Sequence, residues 1–212
     1  MNQTKPNKTT SEPRRKLLAC IAAGSGVILA GKSFPDAWVH PAINSVMLPA
    51  HAQTSATVYA IGDTGPAGGI VFNITNNGLN GMEAAPSDQT GGPDAAWGCE
   101  GTVTGATGTA IGDGAANTMA ILGGCADPGT AAELASNFSN GGFSDWFLPS
   151  LDELNEMYTQ LHVNALGGFL GTYWSSSEFD ASSAFLQAFL NNGGVGNNLK
   201  SLMVRVRAVR NF

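Results

Sequence analysis

The chain has 212 residues with 28 glycines, ten Lys+Arg and sixteen Asp+Glu, a size that fits one globular domain plus an appendage and excludes a large multidomain enzyme. Residues 1–52 hold six of the ten cations and two of the sixteen acids, so residues 53–212 carry 4 − 14 = −10. A body of that sign repels phosphate backbones, which removes nucleic acid from the expected partners.

In chain order, Arg14-Arg15-Lys16 precede Leu17–Gly31, fifteen residues without charge. Charged-then-apolar is the order of an export signal. Fifteen residues reach only ~22 Å as a helix, too short for a permanent membrane span. The paired arginines before a glycine-containing apolar segment resemble a twin-arginine export signal, with the general export route as the alternative, and Ala50-His51-Ala52 has the small-x-small pattern of a cleavage site. Residues 1–52 are therefore expected to be signal and cleavage region, and 53–212 an exported domain of the periplasm, cell surface or medium. Cys99 and Cys125, the only cysteines after residue 20, are expected to be bridged in such an oxidising compartment.

Past residue 52, Val58–Ile61 and Gly69–Ile74 read as strands of an opening hairpin, and Met82–Ala85 as a further short strand. Gly91–Gly114 reads as loop, and Asn117–Leu122 as one or two helical turns. Thr130-Ala-Ala-Glu133 and Ser150-Leu-Asp-Glu153 have the spacing of capping boxes. After Ser150, the apolar set Leu151, Leu154, Met157, Tyr158 and Leu161 forms one helix face, with Asp152, Glu153, Glu156 and Gln160 on the outer one. Trp146-Phe147-Leu148 is expected to be a buried strand stopped by Pro149. Tyr173–Ser176, Ala184–Leu190 and Leu202–Val209 complete the strands, with a turn at residues 191–194. In the last strand Val204, Val206 and Ala208 face the core, and Arg205 and Arg207 face away. Short strands with two or three helices interposed make an α+β domain with long ordered loops.

The residues limit the chemistry. His162 is the single histidine after residue 52; at a helix C-terminus it reads as a cap on the dipole rather than a triad member. One histidine and two bridged cysteines are too few ligands for zinc, so no metal site is assigned. Asp88, Asp94, Asp113, Asn117 and Asp127 leave Ca²⁺ open, without the regular loop spacing. Asp145, Asp152, Glu153, Glu178 and Asp180 leave a glycosidase pair open. Trp174-Ser175-Ser176-Ser177-Glu178 is the most site-like cluster, because an aromatic face beside hydroxyls and a carboxylate suits a sugar ring. Its alternative is a buried tryptophan whose serines satisfy the backbone.

Five strings occur in order: Ile-Gly-Asp-Thr-Gly-Pro-Ala-Gly-Gly-Ile-Val-Phe (61–72), Glu-Ala-Ala-Pro (83–86), Asp-Trp-Phe-Leu-Pro-Ser-x-Asp-Glu-Leu (145–154), Tyr-Trp-Ser-Ser-Ser-Glu (173–178) and Val-Arg-Ala-Val-Arg (206–210). Together they resemble the Lcl C-terminal domain family, named from a collagen-like adhesin that attaches bacteria to sulfated glycosaminoglycans. The resemblance runs from about Tyr59 to Phe212 and implies a C-type lectin-like domain. It also implies a non-catalytic adhesion module for a glycan or cell-surface partner; no cofactor is expected, Ca²⁺ excepted. A collagen repeat is missing here, and a net −10 body is a poor host for a sulfated polymer. The binding surface is expected around Trp174–Glu178, with Asp145, Trp146, Arg205, Arg207 and Arg210 nearby; mutual pairing of these arginines and carboxylates is the alternative.

Overall fold

The computed structural model describes residues 56–89, 94–190 and 192–212. The expected export signal and its cleavage region lie outside them. The fold is α+β: three helices and two small antiparallel sheets of three strands each. The first sheet joins Ile70–Thr75 (β1), Asn80–Ala84 (β2) and Val209–Asn211 (β6) in the order β1-β2-β6. The second joins Thr172–Glu178 (β3), Ser183–Ala188 (β4) and Val195–Leu199 (β5) in the order β3-β4-β5.

The opening hairpin forms one turn later than the β-branched pattern indicates. Val58–Ile61 is not a strand, and β1 turns at Asn76-Asn77-Gly78 to pair with β2. Asn76 and Asn77 both have positive φ there, a conformation asparagine tolerates better than most residues. Residues 61–68 instead curl over the β1–β2 pair. Gly65 and Gly69 press against the Glu83 side chain, where an added Cβ would lie 2.5 and 2.8 Å from its Oε2.

Gly114–Gly124 (α1) is longer than the two turns expected. Ala131–Ser136 (α2) begins at Thr130, whose hydroxyl accepts the Glu133 N–H, while the Glu133 carboxylate takes the Gly129 N–H, so half of the expected box forms. Leu151–Met157 (α3) has the full box with Ser150 and continues as a wide turn over Tyr158–His162. One outward assignment is reversed. Glu153 is fully buried, because its second oxygen takes the Gly112 N–H at 2.7 Å and ties the 105–114 loop to the start of α3. Burial pushes this carboxyl above its ordinary value, with the Asp113 charge acting in the same direction.

The segment 202–209 is extended but lies across the molecule rather than within one sheet. Val204 bridges Ala95, Arg205 bridges Tyr173, and only Val209 onward joins β2. Val204, Val206 and Ala208 do face the core, which runs through Trp97, Trp146, Leu148 and Trp174. A second cluster of Phe72, Phe147, Leu154, Met157, Tyr173 and Phe189 fills the space between α3 and the sheets. Trp146–Leu148 is buried as expected but is not the strand expected there, because it meets the end of the chain at a single bridge, Phe147 to Val209, rather than along a ladder.

Cys99 and Cys125 form the disulfide, with Cα atoms 5.5 Å apart across a separation of 26 residues. It closes a segment whose first part, residues 99–113, has neither strand nor helix and whose end is α1. Replacing both cysteines by serine is expected to cost roughly 3 kcal/mol, the chain-entropy value for a loop of this length. Denaturant unfolding of that variant beside the oxidised protein measures the difference.

Candidate functional site

The Trp174–Glu178 cluster is a piece of framework. Trp174 and the three serines have no exposed surface, and Glu178 is 5% exposed. Trp174 donates its indole N–H to the Ala95 carbonyl at 3.0 Å, and Trp97 donates to the Ser175 carbonyl at 2.9 Å, so the two rings lock the 94–97 segment onto β3. The Ser175 hydroxyl donates to Phe185 O and the Ser177 hydroxyl to Gly108 O, while Ser176 Oγ meets the Asn117 amide. No face of this tryptophan is open to a sugar ring, and the serines satisfy buried polar groups.

The cations are equally committed. Lys200 is fully buried with its Nζ 2.6 Å from Glu178 Oε1, 2.7 Å from Thr102 O and 4.6 Å from the Trp97 ring centroid. Arg207 does not face solvent as alternation indicated: it is buried, with its guanidinium on Asp88 Oδ1 at 2.7 Å and over the Phe169 ring. Arg210 spans Glu83 and Asp145, at 2.8 Å from each. Trp146 is buried, edge-on to Phe138. All four cations beyond residue 52 therefore sit in ion pairs. Asp145 is the accessible member of its pair, at 60% side-chain exposure. Hydrogen bonds from Arg210 hold its carboxyl below the usual carboxylate range.

The oxygen-rich residues considered for Ca²⁺ have separate tasks. Asp88 takes Arg205 and Arg207, Asp113 accepts the Ala110 N–H, Asp127 accepts the Cys99 N–H and Asn117 bonds Gly108. Among the described residues one trio of metal-ligating side chains gathers, Cys99, Cys125 and Asp127, and the bridge withholds two of its three ligands. His162 sits in the last turn after α3, as expected, stacked on Tyr158.

Arg205 is the one expected site arginine with an accessible side chain, at 37% exposure. It borders a cleft of about 390 Å³ on the face of the second sheet that also carries Trp174 and Ala184. Thr172 of β3, Leu186 of β4 and Asn198 of β5 form its floor, because Trp174 pairs with Leu186 and Ala184 with Asn198, which sets these side chains on one face. Leu202, Met203 and Asp94 form its walls. Asp88 fixes the guanidinium through Nη1 at 2.9 Å, and that hydrogen bond is the main cause of the raised Arg205 pKa. A second hollow of about 250 Å³ lies by Asn73, Met82, Ile111 and Phe212. Only the first reaches the ~300–1,000 Å³ typical of ligand sites, and only it combines apolar walls with an oriented cation, a hydroxyl and an amide.

Sequence reasoning reached Arg205, and Asp94 only as a possible Ca²⁺ ligand, but missed the rest of the cleft. Leu202 and Met203 were absorbed into an expected strand, and β5, which carries Asn198, had no strand pattern. No family model matches this chain, and a search of the curated proteins finds no similar one. No helix among the described residues is long and apolar enough to cross a membrane.

Proposed function

We propose that this chain is an exported, non-catalytic binding module of the Lcl C-terminal kind, with a C-type lectin-like domain that takes a glycan or a cell-surface partner in the Arg205 cleft. The observation that carries the reading is the cleft itself, which sets a fixed guanidinium, a hydroxyl and an amide beside the apolar side chains of Leu186, Leu202 and Met203. Sugars present that combination of hydroxyls and apolar C–H faces. Ion pairing of every cation beyond residue 52, in a body of net −10, argues for a neutral glycan over a sulfated one. The non-catalytic reading is supported by Glu83, Asp88, Asp145 and Glu178, whose carboxylates are each bound by a cation, and by Asp94 being the single carboxylate among the residues that line the cleft, one short of the pair that glycoside hydrolysis uses.

A glycan array on the purified protein tests this, followed by Arg205→Ala and Asn198→Ala. Binding to neutral saccharides is expected, weakened about tenfold or more by Arg205→Ala, the loss of one charge-assisted hydrogen bond. The melting temperature should barely change, because the Arg205 side chain is 37% exposed, Asp88 keeps its pair with Arg207, and such a surface pair contributes under ~1 kcal/mol. Array binding that survives both substitutions places the ligand elsewhere, and an empty array favours a structural domain without a small ligand.

A further inference from the structure

The second sheet ends in a free edge. Among the described residues β5 pairs with β4 on one side only. The ladder is flanked by Lys200 N–H donating to Ser182 O and Ala188 N–H donating to Gly194 O. By alternation Gly194, Gly196, Asn198 and Lys200 turn their backbone groups toward β4, while Val195 and Asn197 turn theirs away. Protein edges are ordinarily blunted by charge, proline or a bulge. The sequence Val195-Gly-Asn-Asn-Leu199 has no charge and no proline, and its pairing with β4 runs without a register shift. Val195 and Leu199 are 52% and 50% exposed.

We infer that β5 is a self-association edge, and that two copies of this chain pair antiparallel about Asn197 to join their second sheets into one of six strands. The register is self-complementary. A two-fold axis at Asn197 sets Asn197 opposite its own copy, with the two backbones exchanging N–H···O=C bonds. It sets Val195 opposite Leu199 of the second copy on one face, and Gly196 opposite Asn198 on the other. Each apolar side chain thus meets an apolar one, and glycine leaves room for the asparagine amide. Leu199 accepts the Leu202 N–H on its carbonyl and gives its own N–H to the Asn198 side chain, which ends the ladder there and makes the association reversible rather than permanent. Electrostatics favours this surface over others, since two acidic bodies of net −10 repel wherever their carboxylates face each other, and the edge strand offers none. Directly opposed residues share a face, so Asn198 of each copy, and with it each Arg205 cleft, would stand on the same side of the joined sheet. That geometry is bivalent without a collagen repeat. The pairing itself does not depend on what the clefts bind.

Sedimentation velocity over a dilution series tests the inference, with the purified protein, Asn197→Lys, Leu199→Ser and Thr159→Lys as a control on the exposed side of the turn after α3. The unchanged protein and the control should sediment as dimers that dissociate on dilution, more tightly associated at high salt, because screening removes repulsion between the bodies. Asn197→Lys should be monomeric at concentrations where the unchanged protein is dimeric, with an unaltered melting temperature, since the side chain is exposed. Leu199→Ser should shift the transition to higher concentration. A protein that is monomeric throughout the series overturns the inference, as does an Asn197→Lys variant that dimerises equally well or a dimer that salt dissociates.

Discussion

Glu178→Gln is expected to destabilise the fold by ~3–5 kcal/mol, the range for leaving one buried partner of an ion pair uncompensated, which lowers the melting temperature by something on the order of 10 °C in a domain this size. Lys200 has no exposed surface, and its ammonium has two other neighbours, the Thr102 carbonyl and the Trp97 ring. Neither carries the opposite charge. Lys200→Met should cost less, because the orphaned carboxylate keeps the Thr104 N–H at 2.9 Å and hydroxyl at 3.2 Å, and the Gly105 N–H at 3.1 Å. The double variant should lose less than the two single losses combined. Acid adds a second signature. Burial alone pushes the Glu178 carboxyl up, but Lys200 and the Thr104 and Gly105 N–H groups outweigh it and hold the folded value below the ordinary one. The unfolded chain then binds more protons in that window, so this contribution is present above the unfolded value of about 4.3 and lost as pH falls through the folded one. Urea unfolding between neutral pH and pH 3 should show a shallower acid loss in Lys200→Met than in the unchanged protein. Equal slopes, or a Glu178→Gln cost under ~1 kcal/mol, would contradict the pairing.

What the sequence revealed and what it hid divide along one physical line. Elements with an autonomous local signal are legible: the Ser150 box with its apolar face, the Trp146–Leu148 core segment and the β-branched Ile70–Ile74 run. β5 is not, because Val-Gly-Asn-Asn-Leu has neither alternation nor β-propensity. It is a strand because the Ala188 N–H closes on Gly194 O and returns the chain along β4. Alternation also failed at Arg207 and spacing at Glu153. Each was assigned outward as a charged residue on a patterned element, and each is buried because a distant segment, Asp88 in one case and the Gly112 amide in the other, supplies its partner.

The same distinction explains why the site was only partly legible. Glu83, Asp145, Ser150, Glu153, Trp174, Glu178, Arg207 and Arg210 lie in the strings that carry the family resemblance, and the structure puts them into caps, ion pairs and indole hydrogen bonds that hold loops to sheets. A loop-rich domain with short strands needs such fixed polar joints, and they leave a distinctive sequence trace. The residues that line the cleft, Thr172, Leu186, Asn198, Leu202 and Met203, are ordinary surface types whose meaning comes from being brought together. Motif density therefore marked the scaffold, and Arg205 is where scaffold and open surface touch.

Arg210→Met is the second large expected loss, again ~3–5 kcal/mol, because it strands a carboxylate with no exposed surface. Glu83 accepts the Ala67 N–H at 3.0 Å and the Gly69 N–H at 2.8 Å, and Arg210 supplies its only counter-charge among the described residues, at 2.8 Å. The arrangement leaves no room for retreat, since Gly65 and Gly69 lie against the carboxylate and an alanine at either would collide with it. On its other edge Arg210 reaches Asp145 through Nε at 2.8 Å and Nη2 at 3.0 Å, and its guanidinium lies 4.1 Å from the Phe143 ring centroid. Methionine keeps the aliphatic stem while removing charge and fork. Lysine keeps the charge but cannot serve both carboxylates with a fork geometry, so Arg210→Lys should fall between. Asp145→Asn, at the exposed end of the network, should cost under ~1 kcal/mol. The two carboxylates thus separate a structural pair from a surface one, and Asp145 also reports locally. Arg210 hydrogen bonds hold its carboxyl low, so in Arg210→Met an NMR titration should find the Asp145 resonance moving at higher pH than in the unchanged protein. Denaturant unfolding ranks the three variants. If Asp145→Asn proves as costly as Arg210→Met, the stabilising contact is the exposed one, and Glu83 does not need the guanidinium to stay buried.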